Sequence, residues 1–244
     1  MTIRVAMWSG PRNLSTAMMR SFGSRPDTVV TDEPFYGAYL KQTGDPQSMA
    51  EDVIRSMDCD WSSVARTMTG PSPGGAPIWY QKHMAHHMVG PIAHDGLPGL
   101  QHAFLIRDPA RVVASYAAKR VAVRPEHLGT GRQVEFFDRE ADRLGHAPPV
   151  VDSADVLRDP AGTLQLLCES LGIDWTDAML SWEQGPRDTD GIWGSHWYDA
   201  VERSTGFGTP DDHPLALGAE EQTVADACRP HYDYLSRFAL KSAG

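Results

Sequence analysis

Val5-Ala6-Met7-Trp8-Ser9-Gly10-Pro11-Arg12-Asn13-Leu14-Ser15-Thr16-Ala17-Met18-Met19-Arg20 decides how the rest of the chain is read. An apolar run of strand length meets a Gly-Pro turn, and a hydroxyl-rich helical segment follows. A helix opening near Leu14 turns its unpaired N–H groups and the positive end of its dipole toward the turn. Arg12, Ser15 and Thr16 add one charge and two donors there. The arrangement reads as a phosphate cradle, against the plainer alternative of a strand-to-helix turn with a Ser/Thr cap. It is not an ATP-type loop. Aligned from Gly10, the pattern G-x-x-x-x-G-K-[ST] places Ser15 at the second glycine, Thr16 at the lysine and Ala17 at the magnesium-binding hydroxyl.

A second stretch repeats the logic. Gln101-His102-Ala103-Phe104-Leu105-Ile106-Arg107-Asp108-Pro109-Ala110-Arg111-Val112-Val113-Ala114-Ser115-Tyr116 predicts a buried strand, a charged turn and a helix starting at Pro109, a residue well tolerated in a first helical turn. Arg107 and Ser115 can therefore converge across the strand end and the next helix. A guanidinium binds phosphate bidentately and keeps its charge, which suits it to this position. The plainer alternative is an Arg107–Asp108 ion pair in a turn, with Ser115 facing a helix neighbour.

These two motifs, in this order, resemble the sulfotransferases that use 3′-phosphoadenosine 5′-phosphosulfate (PAPS). Pro11-Arg12 and Ser15-Thr16 are similar to that family's loop, with Leu14 standing where the family carries glycine. The resemblance covers the first half of the chain and continues through Val151-Asp152-Ser153-Ala154-Asp155-Val156-Leu157-Arg158-Asp159-Pro160. It implies that Arg12, Asn13, Leu14, Ser15 and Thr16 hold the 5′-phosphosulfate and that Arg107 and Ser115 hold the 3′-phosphate. It also implies a base for the acceptor. Glu33, in Thr31-Asp32-Glu33-Pro34-Phe35-Tyr36, sits where several carbohydrate-type members carry a glutamate. Lys82 matches the lysine of a Lys-Thr-His region, and His83 is the rival base, one residue before the family's histidine, which aligns with Met84. Arg12 and Lys82 would offset charge on the bridging oxygen as 3′-phosphoadenosine 5′-phosphate (PAP) departs.

No metal is expected. His83 and His87 have the i, i+4 spacing of a helical zinc pair, but the Glu of H-E-x-x-H and a third ligand are missing. Cys59, Cys168 and Cys228 lie far apart, which fits buried thiols in a reducing cytoplasm. No leader is expected before the first strand, and no apolar run has the length of a membrane span. The net charge of −10 speaks against nucleic-acid or anionic-membrane partners, so a few local cations must hold an anionic cofactor.

Strands are expected at Ile3–Ser9, Thr28–Thr31, Ile78–Gln81, Ala103–Ile106 and Val150–Asp152. Helices are expected at Leu14–Gly23, about Met49–Met68, Pro109–Lys119, about Gln133–Leu144, Pro160–Leu171 and Glu220–Leu240. This alternation predicts an α/β fold, one domain over residues 1–244 with a mainly parallel central sheet and helices on both faces. About 185–244 forms an aromatic loop and terminal helix, in which Trp193, Trp197 and Tyr198 are candidates to cover the cofactor or acceptor. The expected activity is transfer of a sulfuryl group from PAPS to a hydroxyl or amine of a small-molecule or sugar-like acceptor in the cytoplasm. The alternatives are a nucleotide-binding protein of the same fold without catalysis, or a kinase-like phosphotransferase.

Overall fold

The computed structural model describes residues 2–91, 97–118, 122–210 and 213–242. Five parallel strands, β1 (Ile3–Ser9), β2 (Thr28–Asp32), β3 (Ile78–Met84), β4 (Gln101–Ile106) and β5 (Val150–Asp152), form one sheet in the order β2-β3-β1-β4-β5. The order follows from burial. β1 ends in five consecutive buried residues, as a strand flanked on both sides and covered on both faces must.

Side-chain alternation divides the core in two. Val5 and Met7 join Tyr80, Ala103 and Leu105 on one face, under Met18, Met19 and Phe22 of α1 (Ser15–Gly23) and Leu164 and Leu167 of α9 (Pro160–Leu171). Ala6 and Trp8 join Trp79 and Phe104 on the other, under Val64 and Met68 of α4 (Trp61–Thr69), Phe136 and Phe137 of α7 (Thr130–Leu144) and Leu235 of α12 (Ala219–Ser236). One residue of shift along β1 moves a side chain between the two cores. The α/β fold with helices on both faces is the one the sequence predicts.

Several boundaries differ. The expected helix over Met49–Met68 is two, α3 (Ala50–Ser56) and α4, because Asp60 caps α4 by accepting from Ser63 N at 2.7 Å. An unforeseen helix, α2 (Tyr36–Thr43), follows β2. β3 runs on to Met84, so Lys82 and His83 lie on the strand rather than after it. α5 covers Pro109–Ala117, and the expected end at Lys119 lies outside the described residues. α12 stops at Ser236 because the tail turns to pair with β5, with Leu240 N donating to Val150 O at 2.9 Å. Short helices α6 (Pro125–Leu128), α8 (Ser153–Arg158), α10 (Gly194–Trp197) and α11 (Asp199–Glu202) lie among the described residues as well.

From β1 the chain leaves toward β2 and β3, and from β4 toward β5. The connections diverge between β1 and β4, and a crevice opens beyond the carboxyl ends of those strands.

Candidate active site

The turn after β1 is built for close approach. Gly10 packs against the Leu128 carbonyl so tightly that a Cβ would collide with it. Arg12 (φ 60°) and Leu14 (φ 69°) both adopt the left-handed backbone that side chains disfavour. Long-range bonds hold the turn: Arg107 Nη1 donates to Arg12 O (2.7 Å), Ser153 Oγ to Asn13 O (2.8 Å) and Asn13 Nδ2 to Leu105 O (3.3 Å). Leu14 thus keeps the backbone conformation that a glycine would adopt freely. It precedes α1 without a side-chain cap, and the Ser15 and Thr16 hydroxyls have no partner among the described residues. These first-turn donors face a cavity of about 390 Å³ lined also by Arg12, Glu33, Lys82 and Arg107.

Across the cavity lies a buried charge network. Register sets Asp32 of β2 beside Lys82 of β3. Lys82 Nζ donates to Asp32 Oδ1 (2.8 Å), Glu33 Oε1 (2.6 Å) and Tyr198 OH (2.6 Å), which uses all three of its N–H bonds. Tyr198 in turn donates to Asp32 Oδ2 at 2.7 Å and accepts from Trp193 Nε1 at 3.1 Å. Glu33 has φ 42°, a third non-glycine residue in the left-handed region around this one cavity. Strain gathered at one place is characteristic of functional sites.

Burial pushes the Glu33 carboxyl above its ordinary range; Lys82 opposes that shift and Asp32 adds to it. Burial also disfavours the Lys82 ammonium, but Asp32 and Glu33 outweigh it and hold its pKa above the usual lysine value. The network pairs a firmly charged cation with a carboxylate made more basic.

Of the residues singled out from sequence, Arg12, Leu14, Ser15, Thr16, Glu33, Lys82 and Arg107 line the cavity together. Ser115 stands just behind: its Oγ accepts from Arg12 Nε at 3.0 Å and keeps its own O–H to donate. Asn13 points away and braces the β1–β4 junction. His83 is not at the cavity. It alternates to the opposite sheet face, stacks on Trp8 (4.5 Å) and has its pKa pushed down to about 3 by burial. His87 does line the cavity, from a 3-10 turn (Ala85–His87) rather than a helix, so the two histidines are not a helical pair. Among the described residues no group of three His, Cys, Asp or Glu side chains gathers as a metal site.

The tail contributes Trp193, Trp197 and Tyr198 to the wall. A bidentate ion pair holds it, Arg20 Nη1 and Nη2 to Asp190 at 2.5 and 2.6 Å, while Gly191 N donates to Asp32 Oδ2 at 3.1 Å. Arg20 and Asp190 were not foreseen as site residues, and Asp32, recognised as a strand-end residue facing the crevice, was given no role. The Asp32–Lys82 pair had a signal, since parallel register brings those two strand positions level. Arg20 and Asp190 carried none.

A family model described as a sulfotransferase domain matches residues 3–239. Two Arabidopsis thaliana proteins, branched-chain-amino-acid aminotransferase-like proteins 2 and 1, are 32% identical over 228 residues and 33% over 231. Each match covers 93% of this chain and 40% of the relative, so the chain spans well under half the length of the curated relatives it matches. The sulfotransferase domain from the curacin biosynthetic pathway superposes with a TM-score of 0.53 at 15% identity, covering 94% of this chain and 98% of that one. The sulfotransferase from Alicyclobacillus acidocaldarius gives 0.54 at 12%, covering 97% and 96%. At these identities the structural likeness is one of fold. Among the described residues no helix is long and apolar enough to cross a membrane. With the sheet, the strained turn after β1 and a match over almost its whole length in agreement, the chain belongs to the sulfotransferase domain family.

Proposed function

We propose that the chain transfers a sulfuryl group from PAPS to a hydroxyl or amine of a small-molecule or sugar-like acceptor. One observation carries this reading: an uncapped helix N-terminus, three cations (Arg12, Lys82, Arg107) and a buried carboxylate (Glu33) face one cavity in a chain of net charge −10. Such a donor set suits a polyanionic nucleotide.

PAPS supplies the activated sulfuryl group and leaves as PAP. The first-turn N–H groups of α1, with Ser15 and Thr16, bind the 5′-phosphosulfate end, and Arg107 and Ser115 bind the 3′-phosphate. Glu33, whose pKa is raised by burial, takes the acceptor proton. Lys82 holds Glu33 Oε1 and orients the carboxylate. As Glu33 gains a proton its hold on Lys82 weakens, which releases an N–H for charge developing on the leaving oxygen beside Arg12. Trp193 and Trp197 exclude water. His83, turned to the opposite sheet face, has no part in this chemistry.

A thermal-shift comparison of PAP, AMP and ATP tests the reading. Selective stabilisation by PAP is expected, because stabilisation follows affinity and PAP alone of the three carries a 3′-phosphate. Equal shifts, or a larger one with ATP, would overturn it.

A further inference from the structure

His87 has no role in the scheme above, yet it lines the cavity beside Glu33. Its buried ring is stacked on Tyr36 (centroids 4.5 Å, planes 2° apart) and on Tyr39 (4.8 Å, 27°). Nδ1 lies in the interior without a hydrogen-bond partner, and Nε2 stands 3.9 Å from Glu33 Oε2. That gap is too long for a hydrogen bond. It admits one oxygen atom bonded to both at ordinary lengths.

The surroundings select the tautomer. A proton on Nδ1 would bury an N–H with nothing to accept it, which folded proteins rarely tolerate, whereas a bare lone pair is the lesser cost. The proton therefore sits on Nε2, toward the carboxylate. Burial, with His86, Lys82 and His83 nearby, holds the His87 pKa well below the ordinary imidazole range, so the ring is neutral and offers a single N–H.

Building on the sulfuryl-transfer reading, we infer that the acceptor is a hydroxyl compound whose oxygen is held between Nε2–H of His87 and Oε2 of Glu33, to the exclusion of amines. The count of lone pairs decides. A hydroxyl oxygen has two: one accepts from His87 and the other attacks sulfur, while the hydroxyl proton passes to Glu33. The acceptor O–H bond breaks as the O–S bond forms, and the S–O bond to the 5′-phosphate breaks with its electron pair leaving on the PAP oxygen. A neutral amine has one lone pair, which cannot both accept from His87 and attack.

Matched probes test this: phenol against aniline and 4-methylphenol against 4-methylaniline, with PAPS and the wild-type, His87→Phe and His87→Asn proteins. The wild type is expected to favour the phenols by about tenfold or more in kcat/KM. His87→Phe keeps the ring stacking but has no N–H. It should cost the phenols about tenfold and bring the phenol-to-aniline ratio toward one, and His87→Asn should recover part of the preference. Anilines sulfated as fast as phenols, or a His87→Phe protein with the wild-type preference, would overturn the inference. Should none of the four probes turn over, ¹⁵N shifts of the His87 ring, assigned by their loss in His87→Phe, decide instead. A protonated Nε2 with bare Nδ1 supports the inference and a protonated Nδ1 overturns it. Failure of the donor reading shows separately, as PAP stabilising no better than AMP, and leaves the NMR readout intact.

Discussion

The cavity has two walls of unlike origin. The turn Gly10–Leu14 is contiguous: Arg12 and Leu14, which line the cavity, are also the residues that bend, and bonds from Arg107 and Ser153 brace them. The opposite wall, from Asp190 to Tyr198, depends on buried charges drawn from other segments. Arg20 of α1 and Asp32 of β2 hold it, through Asp190, Gly191 and Tyr198. Polar residues near one another in sequence make a site that can be recognised as a motif. Ion pairs between distant segments make one that cannot.

The largest expected effect breaks the second wall. Arg20→Met leaves Asp190 buried without its cation and should destabilise the fold by about 3–5 kcal/mol in denaturant unfolding. A loss under about 1 kcal/mol would mean that the wall holds itself. Next in size, Glu33→Gln keeps shape and hydrogen bonding but accepts no proton, so turnover should drop by about 10² with PAP binding retained. Near-wild-type turnover would remove Glu33 from the role of base.

The first wall is sharpened by ligand choice. Arg107→Ala should weaken PAP about tenfold to a hundredfold more than AMP, as the loss of a charge-assisted phosphate contact requires. Equal weakening of the two ligands in calorimetry would assign Arg107 to holding the turn through Arg12 O alone.

The pH profile gives a smaller signal. In its proposed role as base Glu33 works only when ionised, and burial raises its pKa, so turnover should fall toward acid through a midpoint above the ordinary carboxylate range. A rate still flat near pH ~4.5 would contradict this. The smallest effect is expected for Leu14→Gly. Relief of a left-handed backbone, about 1–2 kcal/mol, is offset by loss of Leu14's packing against the α1 core, leaving a net change within about 1 kcal/mol. A loss of 2 kcal/mol or more would show that the packing outweighs the strain.

The alternation of strands and helices was legible in the amino-acid sequence, and so was the placing of Arg12 and Arg107 just beyond β1 and β4, because strand-to-helix turns carry their signals in consecutive residues. The sequence was also enough to mark Glu33 and Lys82. Choosing between adjacent residues took the folded chain. Lys82 and His83 are adjacent in the chain, and once β3 extends to Met84 the two-residue period of a strand sends one into the cavity and the other against Trp8. Helix α2 was missed because its buried Tyr36, Tyr39 and Leu40 owe their place to packing against α3 and the tail, not to helical propensity. Arg20 and Asp190 became site residues by the same route: a buried charge must find its partner in space, and the spacing of residues along the chain does not specify where that partner will be.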